Sequence, residues 1–230
     1  MDETLLSGNI AKLLERVRLS AEKSQRVTGD ILVLAVSKNH PCEAIRTAYE
    51  CGLREFGESY LQEALAKIAE LKPLPLIWHF IGPIQSNKTR AIAENFDWVH
   101  SVDREKIARR LSDHRPDKLP DLQLCLQVNI SGEASKSGVS LDELPQLVRQ
   151  VMVLPRLQLR GLMAIPAASN NPLEQRSAFA ELRHALEEMA LIAPGMDTLS
   201  MGMSNDLEAA IAEGSTILRV GTGIFGSRNR

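Results

Sequence analysis

Lys38 sits at the tip of the run "ILVLAVS" (31–37), so apolar and β-branched residues carry an ammonium group to the end of a strand. The plain reading is a side chain reaching from a strand end to water. The same apolar stretch also holds the stem and partly desolvates the amine. That lowers a lysine pKa from its reference of ~10.4 and frees a neutral nucleophile. Far along the chain, "SMGMSNDLEAA" (200–210) and "RVGTGIFG" (219–226) are loops of small polar residues and glycine. In the first, Ser200, Gly202 and Ser204 precede a helix, whose N-terminus favours an anion. Read singly, Ser204 or Asn205 is the N-cap, with Asn205 and Glu208 at capping-box spacing. In the second, small side chains free the backbone N–H groups of Gly221 and Thr222 to face a phosphate. Both loops together point to a phosphate ligand. A nucleophilic lysine facing it suggests a phosphorylated aldehyde held as a Schiff base, for which pyridoxal 5′-phosphate is the obvious candidate. Arg219 alternates to the same face as Gly221. Turned inward it either hydrogen-bonds the pyridine nitrogen of such a cofactor or makes an internal ion pair.

Strand-like and helix-like runs alternate along the whole chain and would position these residues. After an N-terminal amphipathic helix built on Leu6, Ile10, Leu13, Leu14 and Val17 come eight apolar runs. They are 31–37, 54–59, 76–82, 98–102, 122–131, 157–165, 197–203 and 216–222, with helical patterns between them. Apolar strands joined by helical crossovers imply a parallel sheet covered on its outer face. Eight such units point to a single (β/α)8 TIM barrel over residues 1–230, with an extra N-terminal helix. An open doubly wound sheet would give the same alternation. In a barrel, Lys38 lies at the C-terminal mouth, and the loops after strands seven and eight form the usual phosphate site. "GTGIFG" also matches GxGxxG. A dinucleotide fingerprint, however, needs a following helix, a further strand and an acidic residue about 20 positions on, and the chain stops at Arg230.

Composition narrows the classes. Hydrophobic residues make up 44% and charged residues 24%, which is ample for a core and gives no disorder signature. Twenty-seven basic and 29 acidic residues are mixed along the chain, which argues against a nucleic-acid surface. Cys42, Cys51 and Cys125 have no zinc or disulfide spacing, and the five histidines are scattered. No run approaches the ~20 apolar residues of a membrane span. The start "MDETLLSG" lacks the basic region of a signal peptide, so a soluble, cytoplasmic chain is expected.

The segments "VLAVSK" (33–38), "FGESY" (56–60), "WHFIGPIQSNK" (78–88), "KSG" (136–138), "RGLMAIP" (160–166), "LSMGMSND" (199–206) and "RVGTGIFG" (219–226) run in order over the chain. Together they resemble the pyridoxal phosphate homeostasis proteins. The resemblance implies one barrel like the N-terminal domain of alanine racemase, with the cofactor carried on Lys38. It implies phosphate contacts at Ser200, Gly221 and Thr222, and Arg219 beside the pyridine nitrogen. Ser59 stands where many members have Asn, so a contact near the ring is altered. The ending "GSRNR" lacks the further lysines many members carry.

Among other residues, His79 lies mid-strand between Trp78 and Phe80, whose side chains take the opposite face. It is expected to point into the barrel below the ring, in a structural-to-binding role. Lys136 either adds charge for the phosphate or is a solvated loop lysine. "QSNKTR" resembles an anion-binding helix start or is a plain surface helix, and Met201 and Met203 are expected to pack. A two-base racemase needs a second group across the substrate from the lysine. In the racemases this barrel resembles, a tyrosine from a partner subunit's β-domain supplies it. Here the only tyrosines are Tyr49 and Tyr60, both in or beside helices, and the chain ends shortly after the eighth strand. A sugar-phosphate barrel enzyme would want a carboxylate base at a strand end, for which Glu58 is the one candidate. The expectation is therefore a monomeric, non-catalytic carrier of the cofactor serving apo-enzymes that require it. A racemase-type enzyme is the alternative.

Overall fold

In the computed structural model, which describes residues 3–133 and 137–226, the eight apolar runs become eight parallel strands in a closed barrel, in sequence order. They are β1 (Leu32–Val36), β2 (Glu55–Glu58), β3 (Ile77–Phe80), β4 (Trp98–Val102), β5 (Leu122–Gln127), β6 (Leu157–Met163), β7 (Thr198–Ser200) and β8 (Ile217–Val220). Closure is the pairing of β1 with β8, in which Leu34 stands opposite Arg219 and Ala35 opposite Val220. The open-sheet alternative is thereby excluded. The expected strands run long, because the extended chain continues past the last ladder bond. The fifth ends at Gln127 and the seventh is three residues.

The helices are α1 (Glu3–Lys23), α2 (Cys42–Glu50), α3 (Leu61–Glu70), α4 (Thr89–Asn95), α5 (Glu105–His114), α6 (Leu144–Val151), α7 (Pro172–Ala190), α8 (Leu207–Ala212) and α9 (Thr222–Phe225). Side chains alternate across each strand. Phe56, Phe80 and Val99 point out and bury against the helices, where Phe80 meets Phe96 edge-on at 5.2 Å. The helix after β8 is only four residues long, and α1 fills the gap this leaves. It packs on α2, α8 and α9 with Leu6, Ile10, Leu13 and Val17 buried. Leu14, expected on that face, is 39% exposed. Asn9 ties α1 to the last turn by donating to Ile224 O at 3.2 Å, and Arg16 reaches Glu208 of α8 at 2.8 Å. Among the described residues no helix is long and apolar enough to cross a membrane.

Candidate functional site

The C-terminal mouth holds a cavity of about 290 Å³, and Lys38 lines it. Two residues past β1, Lys38 follows the inward alternation of Leu34 and Val36, while Ser37 faces out toward α3. The turn is pinned from outside. Lys67, on the buried face of α3, donates to Ser37 O at 2.8 Å, Glu58 Oε1 at 2.8 Å and Glu63 Oε1 at 2.5 Å. Glu63 Oε1 also accepts from the Asn39 N–H at 2.6 Å, and Asn39 adopts the left-handed φ of 63°. Asn tolerates that region better than most residues. The peptides on both sides of Lys38 are thus fastened to one helix, which fixes where its side chain starts. Glu58 and Lys67 are buried, and Glu58 Oε2 has no hydrogen-bond partner among the described residues. Burial pushes the Glu58 carboxyl above the usual range, against the pull of Lys67 and Ser37.

An anion cradle forms on the same cavity from the loops after β7 and β8. The first N–H groups of α9 have no acceptor within the helix. That of Gly223 donates to Ser204 Oγ at 3.1 Å, and Ser204 Oγ lies 3.3 Å from Thr222 Oγ1. A side chain at Gly223 would force its neighbours to shift, because a Cβ would stand 2.9 Å from Val220 Cγ1 and 3.2 Å from Ser204 Oγ. Ser204, Gly221 and Thr222 all line the cavity. Two small hydroxyls and a helix start around one space suit a phosphate. Asn205 is not a cap, because α8 starts one residue later, with Asp206 at its N-cap. The Asp206 carboxylate turns back to accept from the Met203 N–H at 2.5 Å. Burial raises its pKa, against that bond and the Arg219 charge.

Arg219 forms the cavity floor, 5% exposed. It donates through Nη1 to Ser200 Oγ at 2.8 Å and to Ser200 O, and through Nη2 to Ala164 O at 2.9 Å. Three of its five N–H donors are thus engaged among the described residues, so two remain for a ligand acceptor. Burial pulls its pKa down to about 10, against Asp206, so it stays protonated at neutral pH. Below it, Ser200 Oγ lies 2.8 Å from His100 Nδ1, and His100 Nε2 lies 2.9 Å from His79 Nδ1. His79 Nε2 in turn lies 2.6 Å from Glu55 Oε2. Both imidazoles are fully buried, and burial pushes both pKa values below 6.5, that of His100 well below.

Of the residues singled out in the sequence, Lys38, Ser59, Ser204, Arg219, Gly221 and Thr222 share the cavity. His79 and Ser200 do not line it. His79 points into the barrel beneath the cavity. The Ser200 hydroxyl lies between Arg219 and His100. Ser59 is held by a close approach: a Cβ on Gly82 would stand 2.2 Å from its carbonyl oxygen. Met201 is buried as expected, but Met203 is 39% exposed and lines the cavity. Glu58 faces away from the mouth and cannot serve as a base there. Tyr60 is exposed at the start of α3, and Tyr49 packs under Arg54, 3.9 Å from its ring centroid. "QSNK" forms a short 3-10 turn before α4. Lys136 and the tail "SRNR" lie outside the described residues. The spacing of Leu61, Ala64, Lys67 and Leu71 marks Lys67 as a charge on a core face, a signal open to sequence reasoning. His100 alternates with Trp98 on the inward face of β4, ahead of a register irregularity that turns Val102 outward.

The profile of the alanine racemase N-terminal domain family matches residues 12–229. The chain is 58% identical over 224 residues to a pyridoxal phosphate homeostasis protein of Pseudomonas aeruginosa, covering 97% of this chain and 96% of that one. It is 48% identical to the protein of that name from Escherichia coli, covering 97% of each. The structure of PipY of Synechococcus elongatus with pyridoxal phosphate (PLP) bound superimposes with a TM-score of 0.83 at 40% identity, covering 96% of this chain and all of that one. Alanine racemase of Corynebacterium glutamicum shares the fold at 15% identity, with a TM-score of 0.70 over 99% of this chain and 62% of that one.

Proposed function

The chain belongs to the alanine racemase N-terminal domain family and, within it, to the pyridoxal phosphate homeostasis proteins, and from that premise we propose a pyridoxal 5′-phosphate carrier. One observation carries this reading: Lys38, Arg219 and the Ser204–Thr222 cradle line a single cavity at the barrel mouth. When bound, the cofactor supplies an aldehyde carbon for a lysine amine and a phosphate for an anion site. The Lys38 amine, fixed through its two flanking peptides, is the group that would hold the cofactor's aldehyde carbon. Ser204, Thr222 and the N–H groups at the start of α9 would hold the phosphate, and Arg219 would offer its remaining donors to the ring nitrogen. Ser59 and Ile165 flank the ring space.

The cofactor is stored and released rather than used in turnover. A permanent cation at the ring nitrogen draws fewer electrons than a protonated ring, which weakens the cofactor as an electron sink. Among the described residues, the titratable groups lining the cavity besides Lys38 and Arg219 are His40 and Asp206. The His40 ring stacks on Phe225 at 4.7 Å, and the Asp206 carboxylate is held by the Met203 N–H. Neither tyrosine lines the cavity.

The test is reconstitution of the purified chain with pyridoxal 5′-phosphate. A yellow band bleached by borohydride, with the label on the peptide containing Lys38, is expected. A label on Lys67, Lys88 or Lys136 would move the site. Incubation with L- and D-alanine should give no inversion, whereas turnover at ~1–10³ s⁻¹ would make the chain a racemase-type enzyme.

A further inference from the structure

Five side chains from five strands thread the barrel axis: Arg219 of β8, Ser200 of β7, His100 of β4, His79 of β3 and Glu55 of β2. Successive polar atoms are 2.8, 2.8, 2.9 and 2.6 Å apart. The two ends fix the direction of every bond between them. Arg219 can only donate, and a Glu55 carboxylate can only accept. His79 therefore carries its proton on Nε2 and accepts on Nδ1. His100 must then donate from Nε2 and accept on Nδ1. The Ser200 hydroxyl donates to His100 and accepts from Arg219. Each neutral imidazole has one donor and one acceptor, and here both are used. With both imidazoles neutral and Glu55 ionised, no other assignment satisfies all four contacts.

Glu55 is where this chain meets solvent. Its side chain is 21% exposed and lines a cleft at the opposite end of the barrel, together with Leu14, Asp30, Leu53, Arg54 and Thr216. The stacked Trp98 ring, 5.5 Å from the His79 ring with 5° between the planes, keeps His79 in register with both neighbours.

We propose that Glu55, His79 and His100 are positioning residues that orient Arg219 toward the ligand through a one-way hydrogen-bond chain, so that the far end of the barrel governs the floor of the mouth cavity. Bonds aligned head to tail polarise one another. The chain thus draws the Arg219 Nη1 donor down onto Ser200 and turns the rest of the guanidinium to the cavity. Remove the carboxylate and the reason for the direction goes. His79 can shift its proton to Nδ1, His100 then follows, and Ser200 receives donors from both sides. Ser200 Oγ then accepts from His100 and Arg219 together, so the Arg219 bond to it is weakened although no residue touching Arg219 has changed, while Ser200 O and Ala164 O still hold the rest of the guanidinium.

The part that concerns the ligand rests on the carrier reading above, and the experiment separates the two. In the free protein, ¹⁵N NMR should show His79 and His100 both protonated at Nε2, with slow solvent exchange of the Arg219 Nη protons. Glu55→Gln keeps an acceptor and should keep both tautomers. Glu55→Leu should move at least His79 to the Nδ1–H form and speed the Arg219 exchange at least tenfold. In the same two variants, dissociation of pyridoxal 5′-phosphate should be near the unaltered value for Glu55→Gln. For Glu55→Leu the dissociation constant should rise about tenfold, the scale of one hydrogen bond to a charged group. Nδ1–H tautomers in the unaltered protein, or Arg219 exchange indifferent to Glu55→Leu, would overturn the chain. Intact coupling in the free protein with equal ligand dissociation in both variants would overturn its role toward the ligand. If the unaltered protein took up no pyridoxal 5′-phosphate, the carrier reading would fail, and the tautomers and exchange rates would still decide the chain.

Discussion

β2 carries one glutamate into the barrel and another out of it, three residues apart, and the two are accommodated by opposite means. Glu55 inside ends a file of neutral groups with Arg219 at its other end, and each of the four contacts along the file joins a donor to an acceptor. Glu58 outside shares a single ammonium with Glu63, and one of its oxygens is left without a partner among the described residues. Taking a charge out of water costs several kcal/mol even when it is paired. Inside, that cost is limited by keeping the two charges at the ends and neutral imidazoles between them. Outside, three charged groups crowd together because three separate backbone and side-chain groups around Lys38 need anchoring: Ser37 O, Ser37 Oγ and the Asn39 N–H. One network aims the floor of the cavity and the other fixes the base of its lysine.

The comparison breaks most sharply at Lys67. Lys67→Met leaves Glu58 and Glu63 without their ammonium, and removing one partner of a buried pair costs about 3–5 kcal/mol. Urea denaturation should show that loss, and Lys38 should label more slowly with pyridoxal 5′-phosphate because its turn is released. Glu58→Gln keeps an acceptor for Ser37 and Lys67 and leaves Lys67 with Glu63 alone, so a change of no more than about 1 kcal/mol is expected. The double variant Lys67→Met/Glu58→Gln should recover at least 1 kcal/mol relative to Lys67→Met, as contacting residues in one network do. Strictly additive effects would show that the two side chains are neighbours without being coupled.

How far these networks were legible depended on which physical rule each residue obeyed. Lys38, Arg219 and the two glycine-bearing loops could be read because a barrel puts all strand C-termini on one face, whatever its shear. The depth of a residue within the barrel does depend on the strand stagger, which a single sequence does not reveal. The sequence therefore puts His79 below the ring and Ser200 by the phosphate without giving their depth, and neither lines the mouth cavity. Lys67 was legible and missed. It sits three residues after Ala64 and four before Leu71 on a helix whose apolar stripe is otherwise unbroken, and an isolated charge at such a position needs a buried partner. Closure itself could not be read, since the pairing of β1 with β8 leaves no local mark.

The smallest effect separates the networks by the sign of their response to acid. His79 and His100 are held below their ordinary pKa of 6.5 by burial. The unfolded chain therefore takes up protons near 6.5 that the folded chain refuses. Their contribution to stability is present above pH 6.5 and is lost as pH falls. Glu58 is held above its ordinary 4.5 by burial, so its contribution is complete below 4.5 and is lost as pH rises through the raised value. Between these limits the two networks pull against each other. Relative to the unaltered protein, His100→Asn should flatten the fall in Tm between pH 7.5 and 5.5, because one of the two refused protons no longer matters. Glu58→Gln should steepen it, because the opposing carboxyl is gone. Thermal melts of the three proteins across that interval give the slopes directly. A Glu58→Gln slope shallower than that of the unaltered protein would mean that Lys67 outweighs burial at Glu58. The outer network would then be a plain ion pair like those at the surface.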